Sequence, residues 1–199
     1  MNKSYILVLY YSKSSNTSKM AHYICEGINS VAGMEAMART VPELKAASDP
    51  SHIAAVPDTG APYATLDELA NCSGLILGSP TRFGNMAAPL KHFIDQTASI
   101  WLTGGLVDKP AACFTSTGSL HGGMETTILS MMIPLLHHGM ILAGVPYTEP
   151  SMHTTKSGGT PYGPSHLAGP KSDRNVDEDE KSICIALGKR LASIAKKQK

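Results

Sequence analysis

The sequence predicts an α/β domain in which a parallel sheet is covered by helices on both faces. Apolar runs alternate with helix-like segments along the 199 residues. The strongest runs are continuously apolar rather than alternating, which is typical of strands buried on both faces. Right-handed crossovers between such strands would give a doubly wound fold.

The elements follow in chain order. Five apolar runs are predicted to be strands, at 5–11, 35–40 (the weakest), 74–78, 111–115 and 140–143. Helices are predicted at 18–31, 87–98, 125–138 and 177–197. Two segments, 42–63 and 148–174, are rich in small and polar residues and are expected to be long loops of a single domain spanning 1–199.

Composition excludes several classes of protein. A net charge of +1, with 17% charged residues, argues against a nucleic-acid partner because no basic stripe is present. No apolar run approaches the roughly 18 residues that a membrane span needs, and no signal peptide is evident. The four cysteines are scattered without a C-x-x-C pair. They are interpreted as reduced thiols of a cytoplasmic protein, with no metal site.

The segment after the first predicted strand is a candidate phosphate loop. It consists of Ser12, Lys13, Ser14, Ser15, Asn16 and Thr17. A helix that begins here would offer unpaired N–H groups to a phosphate, and the hydroxyl and amide groups would supply further donors. Neither the nucleoside-triphosphate loop nor the G-x-G-x-x-G fingerprint is present, so a phosphate monoester such as that of FMN is favoured. An ordinary helix N-cap is the alternative.

Two further polar segments follow strong strands. They are Pro80, Thr81, Arg82, Phe83, Gly84 and Asn85, and then Ser116, Thr117, Gly118, Ser119, Leu120, His121 and Gly122. Ligands of doubly wound sheets bind at the carboxyl ends of the strands, so these segments are expected to edge a flat heterocycle. The alternatives are a loop with an exposed Arg82 and a buried Phe83, and a merely flexible loop at 116–122.

The helix predicted at 125–138 ends in His137 and His138. Histidine near a helix C-terminus is common capping chemistry, and adjacent helix positions point in different directions, so the pair is a poor metal site. Trp101, the only tryptophan, is placed in a Gly/Thr-rich loop. It could cover a planar ligand or fill a surface groove.

Together these segments resemble the WrbA family. The motifs that carry the resemblance are Leu9-Tyr10-Tyr11-Ser12, Gly78-Ser79-Pro80-Thr81-Arg82-Phe83-Gly84-Asn85-Met86, Asp95-Gln96-Thr97, Ser116-Thr117-Gly118, His137-His138-Gly139-Met140 and Gly158-Gly159-Thr160-Pro161-Tyr162-Gly163. The resemblance implies a flavodoxin-like, doubly wound five-stranded parallel sheet of order 2-1-3-4-5 with helices on both faces. It also implies an FMN-dependent oxidoreductase that transfers two electrons from NAD(P)H to quinones.

The resemblance also implies roles for residues. Residues 12–17 would hold the FMN phosphate, 81–83 would line the isoalloxazine ring, and 116–121 would contact the ring and the ribityl chain. His137 would reach the flavin from a neighbouring subunit of a homotetramer. Trp101 would form a wall of the quinone pocket, and the loops around Tyr162 would help to build the assembly.

The sequence departs from the family at two places. Ser14 stands where the family commonly has a tyrosine associated with the nicotinamide nucleotide, and Ser14–Thr17 is similar to the Thr-Gly-Asn-Thr loop of flavodoxins with Ser15 in place of glycine. His121 replaces a glycine. A flavodoxin-type one-electron carrier and a non-catalytic FMN-binding oligomer therefore remain as alternatives, although the near-neutral charge argues against a carrier. No basic cluster distinguishes NADH from NADPH.

Overall fold

A six-stranded parallel sheet forms the centre of the protein. The structure, a computed structural model, describes residues 4–45, 57 and 60–198. Its strands are β1 (Ser4–Tyr10), β2 (Met34–Thr40), β3 (Gly74–Pro80), β4 (Pro110–Thr117), β5 (Ile141–Leu142) and β6 (Ser165–Leu167). The order β2-β1-β3-β4-β5 confirms the predicted sheet. The sixth strand was not predicted: β6 pairs with the carboxyl-terminal end of β4, and β5 pairs with its beginning.

Helices cover both faces of this sheet. They are α1 (Asn16–Asn29), α2 (Leu66–Asn71), α3 (Ala88–Asp95), α4 (Ala98–Leu102), α5 (Met124–His137), α6 (Ser151–Thr154) and α7 (Glu178–Lys197). Side chains of α1, α6 and α7 share one apolar core with the strands. Those of α2, α3, α4 and α5 share a second core on the opposite face. None of the helices in the described residues has the length and apolar character needed to cross a membrane.

Two glycines bring α1 and α7 into backbone contact. A Cβ atom on Gly27 would lie 2.1 Å from the carbonyl oxygen of Ile185, and one on Gly188 would lie 2.1 Å from that of Ile24. Neither position accepts a side chain without separating the helices. The contact fixes the position of α1 relative to α7, and with it the position of the amino end of α1 at the carboxyl edge of the sheet.

Two predicted segments were wrong, and a third lies largely outside the described residues. The helix predicted at 87–98 is divided into α3 and α4, so Trp101 lies in a helix rather than a loop. The segment 148–174 contains α6 and β6 and is not an uninterrupted loop. In the segment 42–63, residues 46–56, 58 and 59 lie outside the described residues. The sequence analysis also missed α2, whose capping box of Thr65 and Glu68 is present in the structure.

Candidate cofactor site

A polar cavity lies at the carboxyl ends of the central strands, between β1, β3 and β4. Ten residues predicted to bind the cofactor line it, and two that were not predicted complete the wall. The lining residues are Lys13, Ser14, Asn16, Thr17, Pro80, Thr81, Arg82, Ser116, Thr117 and Gly118, together with Ala168 and Ser172. The three segments expected to form a cofactor rim therefore meet at one place.

The amino end of α1 faces this cavity, and some of its backbone N–H groups have no hydrogen-bond acceptor among the described residues. The backbone N–H of Ser18 is satisfied by Ser12 Oγ at 3.3 Å, and that of Lys19 by the carbonyl of Ser15 at 2.9 Å. Among the described residues, nothing accepts a hydrogen bond from the N–H groups of Asn16 and Thr17. The first turn of α1 carries no acidic side chain, so the positive end of its dipole is not neutralised.

Not every side chain of this loop is free for a ligand. Ser12 is occupied by the cap just described and does not line the cavity. The amide of Asn16 donates to the carbonyl of Ser172 at 3.0 Å, which ties the loop to a segment 156 residues away. Ser15 is the N-cap residue, with φ of 61° and no capping hydrogen bond from its side chain. Its left-handed backbone is the conformation that a glycine would adopt more easily.

A two-residue hairpin forms the rim on the β3 side. Arg82 and Asn85 exchange both backbone hydrogen bonds, at 2.8 and 3.1 Å, and the residues between them, Phe83 and Gly84, have φ of 53° and 77°. Positive φ at both central positions defines a type I′ turn. Phe83 stands fully exposed at the tip, so the alternative of a buried phenylalanine is wrong.

The hairpin rests on the first turn of α5. Thr127 Oγ1 donates to Thr81 Oγ1 at 2.8 Å, and the N–H of Gly84 donates to the same oxygen at 3.3 Å. Because that oxygen accepts both bonds, the Thr81 hydroxyl proton is left to donate elsewhere. Thr81 lines the cavity, so this proton is a candidate donor to a ligand.

The rim on the β4 side begins inside the strand. Ser116 and Thr117 are the last residues of β4 and are buried, whereas both were predicted in a loop. The hydroxyl of Thr117 donates to the carbonyl of Ser119 at 2.8 Å, which turns the chain outward. The remaining predicted residues of this segment, Ser119, Leu120, His121 and Gly122, form an exposed turn beside the cavity.

The sequence analysis missed the segment that closes the cavity, 165–174, called here the strap. It comprises β6 and the turn that follows it, and it supplies Ala168 and Ser172. Besides the pairing of β6 with β4 and an ion pair between Arg174 and Asp177, a buried carboxylate holds it: Glu180 of α7 is fully buried and accepts hydrogen bonds from strap and α7 donors. The donors are His166 Nδ1 at 2.8 Å, Leu167 N at 3.0 Å, Arg174 Nη1 at 3.0 Å and Asp177 N at 3.0 Å, and Gly158 N, upstream of the strap, donates at 3.0 Å.

The protonation of Glu180 follows from these donors. Burial alone would raise the pKa of its carboxyl. Hydrogen bonds donated by His166 and by two backbone N–H groups outweigh burial and bring the pKa to about 2. The other ring nitrogen of His166 faces the carbonyl oxygen of Arg174 at 3.2 Å. Both ring nitrogens of His166 therefore lie within hydrogen-bonding distance of an oxygen, one of Glu180 and one of Arg174.

Trp101 and His137 lie together, far from the cavity of their own chain. The indole Nε1 donates to the carbonyl of His137 at 3.0 Å. Since α5 starts beside the cavity and its 14 residues span about 20 Å, His137 is at the opposite edge of the sheet. The adjacent His138 is buried and is held at 2.8 Å by Thr97, so the end of α5 is fixed against the start of α4.

Comparison with known proteins agrees with this geometry. Residues 5–149 match the family model of NADPH-dependent FMN reductases. The chain belongs to this family. It is an FMN-dependent oxidoreductase, and the unpaired N–H groups and unneutralised dipole at the amino end of α1 fit the dianionic phosphate of FMN.

Solved structures give the same fold at low sequence identity. A flavodoxin, WrbA-like protein from Agrobacterium tumefaciens matches with a TM-score of 0.66 and 20% identity, over 98% of this chain and 99% of that chain. A flavodoxin from the domain Archaea gives 0.64 and 20%, over 96% and 99%. Oxidised flavodoxin 1 from Bacillus cereus gives 0.61 and 17%, over 96% and 98%. These likenesses establish the flavodoxin-like fold.

We expect Ser15→Gly to stabilise the protein. An L-residue at this φ costs about 1–2 kcal/mol, whereas the added flexibility of glycine in the unfolded chain costs about 0.4–1 kcal/mol. The net gain in the free energy of unfolding should be about 0.5–1 kcal/mol, measured by urea denaturation. Ser14→Gly is the matched control: its backbone φ is not positive, so it should lose about 0.4–1 kcal/mol. Equal effects at the two positions would contradict the argument.

Because the pKa of Glu180 is lowered in the folded state, we expect the protein to lose stability in acid. The Glu180 pKa of about 2 in the folded state lies below the ordinary value of 4.5. The contribution of this carboxylate is therefore complete above pH 4.5 and is lost as the pH falls toward 2. Between pH 6 and pH 3 we expect a loss of about 2 kcal/mol from this group.

Urea unfolding of wild type and Glu180→Gln at each pH measures this contribution. The variant should be less stable at pH 6, but its stability should fall less steeply toward pH 3. Glu178→Gln, on the exposed side of the same helix turn, should keep the wild-type slope. Parallel slopes for wild type and Glu180→Gln would contradict the assignment.

Proposed function

We propose that this protein is an NAD(P)H:quinone oxidoreductase of the WrbA type. The observation that carries the proposal is the amino end of α1, where the N–H groups of Asn16 and Thr17 have no acceptor among the described residues and face a cavity edged by the Arg82–Asn85 hairpin. A phosphate at the helix end and a flat ring along the hairpin are the two features of FMN that this arrangement can hold.

Different segments of the site would bind different parts of FMN. The phosphate would lie on the amino end of α1, with the hydroxyls of Thr17 and Ser14 as additional donors. The hairpin would lie along the isoalloxazine ring, with Thr81 donating from the strand end. Backbone groups of 116–118 would contact the ribityl chain. Ser172 would close the phosphate end through its bond to Asn16.

The reaction is a balanced two-electron transfer. NAD(P)H gives up a hydride and becomes NAD(P)⁺, and the quinone takes up those two electrons with two protons, one of them from solvent, to become a hydroquinone. The bound flavin supplies the redox chemistry. The protein binds and orients both substrates, and the rim N–H groups stabilise negative charge on the ring edge.

A homotetramer would complete the site. His137 and Trp101 lie at the wrong edge of the sheet to reach the cavity of their own chain, but both are solvent-accessible, and the Trp101 indole donates a hydrogen bond to the His137 carbonyl. The neighbouring face of α5 exposes Leu129, Ile133 and Leu136, spaced as one helical stripe. Exposed apolar stripes of this kind mark interfaces, so we propose that second copies of this chain cover it and bring His137 and Trp101 to a neighbour's flavin.

The rival functions are a one-electron carrier and a non-catalytic FMN-binding oligomer. A carrier that docks on protein partners usually presents a strong charge patch, and the net charge of +1 does not favour one. The four cysteines are free, which agrees with the proposed cytoplasmic location.

Steady-state kinetics of FMN-loaded protein test the proposal. NADPH or NADH should be oxidised in the presence of benzoquinone, with one hydroquinone formed per nucleotide consumed. A carrier or a non-catalytic oligomer would bind FMN but turn over neither nucleotide. That result would reject the reductase.

Thr17→Ala should weaken FMN binding without unfolding the protein. A hydrogen bond to a charged phosphate is worth about 1.5–3 kcal/mol, so the dissociation constant should rise about ten- to a hundredfold. Quenching of flavin fluorescence on binding measures it. Thr17→Ser retains the hydroxyl and should stay within about threefold of wild type. If both variants bound FMN like wild type, the phosphate would lie elsewhere.

Mixed oligomers test whether His137 acts across an interface. Ser14→Glu/Thr17→Ala chains should not hold FMN but can lend an intact His137, and His137→Ala chains should hold FMN without it. Each parent is expected to lose most of its turnover. Co-expressed chains with different tags, purified on both tags, should regain activity at about a quarter of the sites. A mixture no more active than its parents would contradict a shared site.

A further inference from the structure

A second cleft adjoins the cofactor cavity on the α3 side of the sheet. Its volume is about 710 Å³, within the range of sites that bind small molecules. Lys13 and Arg82 line both this cleft and the cofactor cavity. A ligand in the second cleft would therefore lie next to one in the first, with these two cations between them.

The cleft is strongly biased toward positive charge. Its ionisable side chains, apart from Tyr11, are three cations, Lys13, Arg82 and Lys91, and one carboxylate, Glu43. No carboxylate among the described residues pairs with Arg82, whose recorded hydrogen bond goes to the carbonyl of Thr81 at 2.7 Å. Within the part of the chain that the structure describes, the cleft thus offers a guanidinium that no carboxylate neutralises.

The other two cations are paired only at the surface. Lys13 Nζ lies 2.6 Å from a Glu43 oxygen, with both side chains at least half exposed. Lys91 pairs with Asp95 one turn along α3, again with both side chains exposed. Exposed pairs of this kind contribute little, so an incoming anion can replace either carboxylate at small cost.

Several of the other lining residues are apolar. Met86 is buried, Pro89 is half-buried and Leu44 is exposed, and Asn85 adds an amide. A wall that combines cations with apolar side chains matches a nucleotide, in which phosphates adjoin a flat base. The cofactor cavity already provides its own phosphate cradle at α1, so the cations of the second cleft are available to another phosphate-bearing ligand.

We propose that this cleft binds a phosphate group of the nicotinamide dinucleotide while the nicotinamide lies over the flavin, and that Glu43 competes with that phosphate for Lys13. The assignment rests on the proposed function, since it places the second substrate of the same site. It supplies the basic cluster that the sequence did not reveal, because Lys13, Arg82 and Lys91 are separated along the chain and meet only in the fold. The 2′-phosphate of NADPH and the pyrophosphate shared by both dinucleotides have the chemistry required.

Calorimetric titration of FMN-loaded protein with NADP⁺ and with NAD⁺ tests this, because neither oxidised nucleotide turns over. Glu43→Gln releases Lys13 and should tighten binding about two- to fivefold at low salt, the range expected for one exposed charge pair. Lys91→Gln should weaken binding by a similar factor. Lys189→Gln, exposed on α7 on the other face of the sheet, is the control and should change nothing. Lys91→Gln and Lys189→Gln should bind FMN like wild type.

Comparing NADP⁺ with NAD⁺ distinguishes which phosphate of the dinucleotide binds in the cleft. Effects on NADP⁺ alone assign the cleft to the 2′-phosphate, and equal effects on both nucleotides assign it to the pyrophosphate. Opposite changes in Glu43→Gln and Lys91→Gln support the site in either case. Affinities that are unchanged in both variants, or no nucleotide binding by wild type, overturn it. If binding responds as expected but NADPH is not oxidised, only the proposed reaction fails.

Discussion

The carboxylate of Glu180 is the interaction on which the carboxyl edge of the sheet depends. A buried charge is costly unless hydrogen bonds satisfy it, and here the donors come from His166, Arg174 and backbone N–H groups of two chain segments. Removing one partner of such a network typically lowers the free energy of unfolding by about 3–5 kcal/mol. The strap has little apolar surface of its own, so this carboxylate and the pairing of β6 with β4, rather than a hydrophobic core, determine its position.

The same helix fixes both walls of the cofactor cavity. Glu180 in the first turn of α7 holds the strap, and Gly188 further along α7 lies against the backbone of α1. The two walls are also connected directly, because the Asn16 amide of α1 donates a hydrogen bond to the carbonyl of Ser172 in the strap. The distance between the phosphate loop and the strap is therefore set by this hydrogen bond together with α7, which does not line the cavity. Substitutions of Glu180 or Gly188, the two α7 residues that make these contacts, should alter cofactor affinity from outside the site.

How much the sequence predicts depends on how local each signal is. The buried strands appear as apolar runs, and the loop at 12–17 is recognisable from its hydroxyl residues alone. The sheet order came from family resemblance. The strap carries no local pattern, because its position depends on Glu180 and on a contact 156 residues away at Asn16. The sequence did not predict the basic cleft for the same reason, because its cations come from separate segments.

Backbone strain points to the same region as the electrostatics. Among the described residues, four other than glycine have positive φ, and three of them, Ser15, Phe83 and Ser172, surround the cavity. Each lies on a different rim segment, and such conformations cost about 1–3 kcal/mol apiece. Strain of this kind persists only where the surroundings enforce it. A fold that needed these turns merely to connect its elements could have used glycine at all three, so their concentration at one edge is the expected consequence of shaping a cavity for a ligand.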